Sequence, residues 1–176
     1  MGKKIKWGII STAKIAETDL IPAINKSKNS ELVAIASRSK EKAKKFVKKN
    51  KVKKFYSSYK KLYEDETIDV IYNPLPNHLH VNSTINAINN NKHVLLEKPI
   101  TLKSKDVNLI KKAANKKNKI VKEAFMVRHH SQWQWVKKYI NSKKIGKING
   151  ITVVYYNCCV FFTFCIKGVL NTDCFF

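Results

Sequence analysis

Short apolar runs alternate with amphipathic stretches from residue 5 to residue 123, and this rhythm constrains the fold more than any other feature. The run IKWGII (5–10) stops at the small residues Ser11, Thr12 and Ala13, which reads as a buried strand entering a turn. A helical stretch follows with Ala16, Leu20 and Ile24 on one face, and Pro22 is expected to kink or divide it. Residues 31–37 (ELVAIAS) predict a second strand, and 40–50 a charged helix with Ala43, Phe46 and Val47 inward. Residues 69–73 predict another strand, followed by a helix from Asn77 carrying Val81, Ile85 and Ile88 at i, i+4 and i+7. The cycle repeats with strand 93–96, helix 103–116 (Val107, Ile110 and Ala114 on one face) and strand 120–123. Such alternation with short connections predicts an α/β fold, a doubly wound parallel sheet covered on both faces. Ligands of such sheets bind at the carboxyl ends of the strands. The segments to inspect are therefore 11–13, 37–38, 73–78 and 97–99.

The chain of 176 residues is strongly basic, with a formal charge of +23, yet it is 44% hydrophobic and so can bury a core. Among 35 basic residues only Arg38 and Arg128 are arginine, and the lysines are spread along the whole chain. Specific base readout leans on bidentate arginine. The basic excess therefore reads as codon bias and a solvated surface, with no specific nucleic acid as partner. The four cysteines (Cys158, Cys159, Cys165 and Cys174) lack paired zinc spacing, and residues 1–157 contain none. No disulfide framework staples the body, and the apolar run 7–10 is too short for a signal peptide. A cytoplasmic protein is expected.

Four places carry chemistry. At the first strand–turn–helix the dinucleotide fingerprint G-x-G-x-x-G/A is replaced by Ser11-Thr12-Ala13-Lys14-Ile15-Ala16. Small side chains still let helix-start amides approach a pyrophosphate, although an ordinary βα turn has the same look. The second strand ends in Ser37-Arg38 where an NAD enzyme presents an acid, and Arg38 would pair with a 2′-phosphate; this favours NADP, with NAD possible. In Asn73-Pro74-Leu75-Pro76-Asn77-His78-Leu79-His80 two prolines fix the loop and Asn73 or Asn77 can cap the next helix. His78 and His80 form an H-x-H without carboxylates, so no metal site is assigned. In Glu97-Lys98-Pro99 a lysine ends a buried strand, with Glu97 available to orient it. Near a nicotinamide its ammonium could stabilise developing alkoxide charge.

The segments WGIISTAKIA (7–16), VAIASR (33–38), YNPLPNHLH (72–80), KHVLLEKP (92–99) and EAFMVRHH (123–130) together resemble the Gfo/Idh/MocA oxidoreductase family, in its branch of NADP-dependent dihydrodiol and xylose dehydrogenases. The resemblance implies a Rossmann domain followed by an α/β substrate domain, and oxidation of sugar or diol hydroxyls with NAD(P). It places Ser11, Thr12 and Ala13 at the pyrophosphate, Ser37 and Arg38 at the adenosine phosphate, and Pro74, Asn77 and His78 on the nicotinamide side. Glu97 and Lys98 fall beside nicotinamide and substrate, Lys98 as the catalytic lysine, and Arg128 near the cofactor. It also implies a small-molecule sugar or diol substrate and homo-oligomers.

The expected boundaries are 1–122 for the nucleotide-binding domain, 123–157 for the start of a substrate domain and 158–176 for an apolar tail. Beyond the strands a helix is expected over 131–143 (Trp133, Val136, Ile140) and β structure over 145–157. The tail holds all four Cys and five Phe but one Lys and one Asp. It reads as an out-of-frame ending to a truncated chain that lacks the family's second-domain His or Tyr. Three other readings stay open: a non-catalytic NADP(H)-binding module, a nucleic-acid binder, and a tail anchor through the uncharged run 148–166. The β-branched, aromatic first half of that run argues against a membrane span.

Overall fold

The computed structural model describes residues 2–146, 148, 150, 152–154 and 163–165. The chain divides after Phe125 into two compact units.

The first unit is a six-stranded, all-parallel sheet in the order β3-β2-β1-β4-β5-β6. Its strands are β1 (Ile5–Ile10), β2 (Ser30–Ala36), β3 (Lys54–Tyr56), β4 (Val70–Asn73), β5 (His93–Leu96) and β6 (Val121–Glu123). Chain order runs outward from β1 in one direction and then the other, so the switch point lies between β1 and β4. The helices are α1 (Ile21–Lys26), α2 (Lys40–Asn50), α3 (Tyr59–Glu64), α4 (His80–Asn89) and α5 (Ser104–Lys117). Period-2 alternation sends β1 residues to two cores. Ile9 packs with Ile24, Phe46 and Tyr72, while Ile10 packs with Leu62, Ile88 and Leu96.

The strands and helices expected in this unit all form within a residue or three of their expected ends; of the β structure expected over 145–157, residues 147, 149, 151 and 155–157 lie outside the described residues. Pro22 sits at the start of α1, and the preceding turn, Ala16–Leu20, is a π-helix; a residue without an N–H is best tolerated at such a junction. Two elements were not expected. Strand β3 has three residues and helix α3 six, too short for a period to register, and their lysines hide Leu62 and Tyr63, which are buried.

The inward ridge of α4 also differs from expectation. Val81 and Ile85 are only partly buried, while His80, Ser83, Thr84, Ala87 and Ile88 are buried. Three of those five are polar, and each finds a partner: Ser83 with the Tyr63 hydroxyl at 2.8 Å, Thr84 with Asn73 Nδ2 at 3.2 Å, and His80 with two carbonyls. A hydrogen-bonded polar side chain is cheap to bury, so a hydrophobic count underestimates this face.

The second unit contains a short 3-10 turn (Met126–His129), α6 (Ser131–Asn141) and the antiparallel pair β7 (Thr152–Val154) and β8 (Thr163–Cys165). His130 Nδ1 caps α6 by accepting from Gln132 N at 3.3 Å. Trp133, Val136 and Ile140 are partly buried, as expected, while Trp135 and Tyr139 stack in solvent with ring centroids 5.0 Å apart. The tail over 158–176 lies outside the described residues apart from 163–165, and so does most of the run 148–166. Among the described residues no helix is long and apolar enough to cross a membrane.

Candidate functional site

Four loops leave the carboxyl ends of neighbouring strands. After β1, Ser11 takes a positive φ of 79°, a conformation that costs a non-glycine residue about 1–2 kcal/mol. Its amide donates to Ala36 O at 2.6 Å, and its hydroxyl accepts from Ala13 N at 3.2 Å. These two bonds do locally what glycine does by lacking a side chain: they hold the left-handed turn. Ala16 is fully buried, so helix and strand pack closely. No side chain caps the helix start; the amides of Ala16 and Glu17 donate to Ala13 O at 3.1 and 3.4 Å.

After β2, Ser37 is buried; its amide donates to Tyr56 O at 3.0 Å and its hydroxyl accepts from Ser39 N at 3.3 Å. Ser39 in turn caps α2, accepting from Lys42 N at 3.3 Å. Above this anchored turn Arg38 is exposed and forms no ion pair among the described residues. A rigid backbone under a free guanidinium suits capture of an anion.

After β4 the asparagines do not cap the next helix as expected. Asn73 is fully buried; its Oδ1 accepts from Leu75 N at 3.3 Å and its carbonyl accepts from Glu97 N at 3.1 Å. Asn77 opens a 3-10 turn (Asn77–Leu79) with Pro76 before it and no side-chain cap. Asn73 is drawn away from the helix because it stitches the β4 loop to the β5 loop. Pro74 is partly buried; Asn77 and His78 are exposed. His80 points inward with both ring nitrogens on carbonyls, so His78 and His80 do not act as a pair.

After β5, Glu97 does not orient the Lys98 ammonium. Its Oε1 accepts from the Tyr72 hydroxyl at 2.6 Å and its Oε2 from Lys98 N at 3.2 Å. Burial, then the bond to Glu97 and its charge, raise the Tyr72 phenol well above the usual range, so it stays a donor. Lys98 itself is exposed and unpaired among the described residues, so the expected desolvation cost does not arise. Tyr72 was not singled out in the sequence; its only signal was an aromatic in an apolar strand, which reads as core. Arg128 belongs to the second unit, where it is exposed and its carbonyl accepts from Gln134 Nε2 at 2.9 Å.

The arrangement is thus a row of anchored turns at one end of a parallel sheet, each presenting uncommitted donors. Residues 5–125 match the model of an oxidoreductase family described as an NAD-binding Rossmann fold. The chain is 35% identical over 151 residues to the uncharacterized oxidoreductase ORF334 of Rhizobium meliloti, covering 86% of this chain and 45% of that protein. It is 34% identical over 148 residues to a trans-1,2-dihydrobenzene-1,2-diol dehydrogenase of Xenopus laevis, covering 83% and 44%. A 3-ketoreductase from Actinomadura kijaniata, solved with NADP and TDP-benzene, superimposes with a TM-score of 0.81 at 31% identity, covering 86% of this chain and 46% of that one. The chain spans a little under half the length of each of these proteins.

Proposed function

This chain belongs to the Gfo/Idh/MocA oxidoreductase family, and on that footing we propose that its first unit binds NADP(H) for hydride transfer at a hydroxyl-bearing carbon of a sugar or diol. The observation that carries the reading is the row of anchored turns ending in the unpaired Arg38 and Lys98.

The residues fit the cofactor's parts. The tight turn at Ser11, Thr12 and Ala13, with Ala16 buried behind it, lets the backbone approach a pyrophosphate closely. Ser37 holds the β2 turn while Arg38 pairs with a 2′-phosphate, which an acid in its place would repel. Pro74, Asn77 and His78 line the nicotinamide side. When bound, the nicotinamide supplies the hydride acceptor or donor. Lys98 donates to the substrate oxygen and stabilises negative charge as it develops there. Glu97, held by Tyr72, fixes the backbone from which Lys98 projects. We assign the boundaries 1–122 and 123–157 to nucleotide and substrate domains, and a cytoplasmic location in keeping with the cysteine-free stretch 1–157.

Titration with NADPH and NADH tests this reading. The expected result is saturable binding with NADPH preferred; equal or absent affinity for both sinks it. A panel of sugars and diols with NADP then separates a dehydrogenase, which reduces the cofactor, from a module that only binds it.

A further inference from the structure

His80 begins α4 and is fully buried, so both of its ring nitrogens must be satisfied by protein. Nδ1 lies 2.8 Å from the carbonyl oxygen of Pro99, and Nε2 lies 2.8 Å from the carbonyl oxygen of Leu75. A carbonyl only accepts, and a neutral imidazole carries a single N–H. A neutral ring would therefore aim a lone pair at one of the two oxygens at hydrogen-bond distance. The imidazolium donates to both.

The two carbonyls belong to different loops. Leu75 lies between Pro74 and the Asn77 and His78 turn, and Pro99 directly follows Glu97 and Lys98. The same loops are joined a second time through Asn73, whose carbonyl accepts from Glu97 N and whose Oδ1 accepts from Leu75 N. Thr84, one turn along α4 from His80, holds Asn73 Nδ2. A closed circuit results: Glu97 to Asn73, Asn73 to Leu75, Leu75 to His80, and His80 to Pro99, two residues from where it began. Among the described residues, only His80 hydrogen-bonds that circuit to the far side of Lys98.

We propose that His80 is a positioning residue, held as a buried imidazolium with a proton on each ring nitrogen, which clamps the β4–α4 loop to the β5–α5 loop and so sets the place of Lys98 relative to the cofactor. The consequence for Lys98 rests on the functional reading above; the clamp does not. Two carbonyl dipoles and a shared hydrogen-bond network stand in for a carboxylate partner.

The test uses the full chain, 15N-labelled, at neutral pH without cofactor. Both ring nitrogens of His80 are expected to carry protons that exchange slowly with water, correlated to the residue's own backbone. A ring protonated on one nitrogen only overturns the imidazolium. His80→Gln and His80→Asn each keep one amide donor near one of the two carbonyls. In both, the amides of Leu75 and Glu97 are expected to exchange about tenfold faster or more, and unchanged protection overturns the clamp. NADPH affinity is expected to weaken about tenfold in the same variants, and unchanged affinity overturns the positioning role. If the unsubstituted chain binds no NADPH, the functional reading fails, while proton count and exchange rates still decide the clamp.

Discussion

The two ends of the same six strands are built differently. At the amino ends, polar groups are spent on one another. Asp69 Oδ2 accepts from Lys6 N at 2.8 Å, and Ile120 N donates to His93 Nδ1 at 3.0 Å. The buried Lys92 ammonium donates to the carbonyls of Asp65 and Ile68 at 2.7 and 2.9 Å. Two hollows of about 540 and 670 Å3 open here. The first is lined by Ile5, Trp7, Val70, Leu95 and Ile120, and Trp7 Nε1 is buried without a hydrogen-bond partner among the described residues. At the carboxyl ends an equally tied frame (Ser37, Asn73, His80, Tyr72 with Glu97) lies beneath Arg38, His78 and Lys98, which are exposed. Concavity alone points to the amino ends, opposite the proposed site. What distinguishes a site is rigid backbone beneath uncommitted charge, because preorganised donors cost little to reorganise when a ligand arrives.

The sharpest way to break this comparison is Arg38→Asp. The ratio of NADPH to NADH affinity is expected to fall by something on the order of 100-fold, since a charge-assisted pair becomes a repulsion. The midpoint of unfolding should hold still, because the guanidinium is exposed and unpaired. An unaltered ratio would show that the residue sits elsewhere than on the 2′-phosphate.

Lys92→Met acts at the opposite end. It leaves two carbonyls without their donor but relieves an ammonium that burial holds below the usual lysine range. A loss of about 2 kcal/mol in urea-unfolding stability is expected, with NADPH affinity unchanged. If affinity falls with stability, the two ends are not independent.

Tyr72→Phe removes the hydroxyl from Glu97 and should cost about 1 kcal/mol in chemical denaturation. NADPH affinity is expected to drop only a few-fold, so a loss as large as that of Arg38→Asp would make Tyr72 a cofactor contact instead of a support.

The smallest effect is a pH dependence at the amino ends. Burial, then the neighbouring Lys119, lowers the His93 pKa, while Asp69 opposes the shift; its Nδ1 is an acceptor in the fold. The unfolded chain therefore takes up the proton first as pH falls. Stability present at neutral pH declines from about pH 6.5 downward, through the lower folded value, and then levels off. Urea midpoints between pH 7 and 5 should show this slope, and His93→Asn should flatten it; an unchanged slope in that variant assigns the loss to another group.

The rhythm of apolar runs determined five of the six strands of the sheet and four of its five helices, and with them the strand ends at which the proposed site lies. Periodicity could report those because burial of a face imposes a spacing on neighbours in the chain. It also located Ser11, Arg38 and Lys98, since turns follow strands directly. Tertiary structure decided the rest. The sequence suggested that Asn73 caps a helix and that Glu97 steers Lys98; in the fold both are taken by partners from another loop. The polar ridge of α4 reads as solvent-facing until Asn73, Tyr63 and two carbonyls arrive to satisfy it. Hydrogen bonds between residues 5 to 25 positions apart leave no period behind, because each depends on where two strands bring their ends and not on the residues between them.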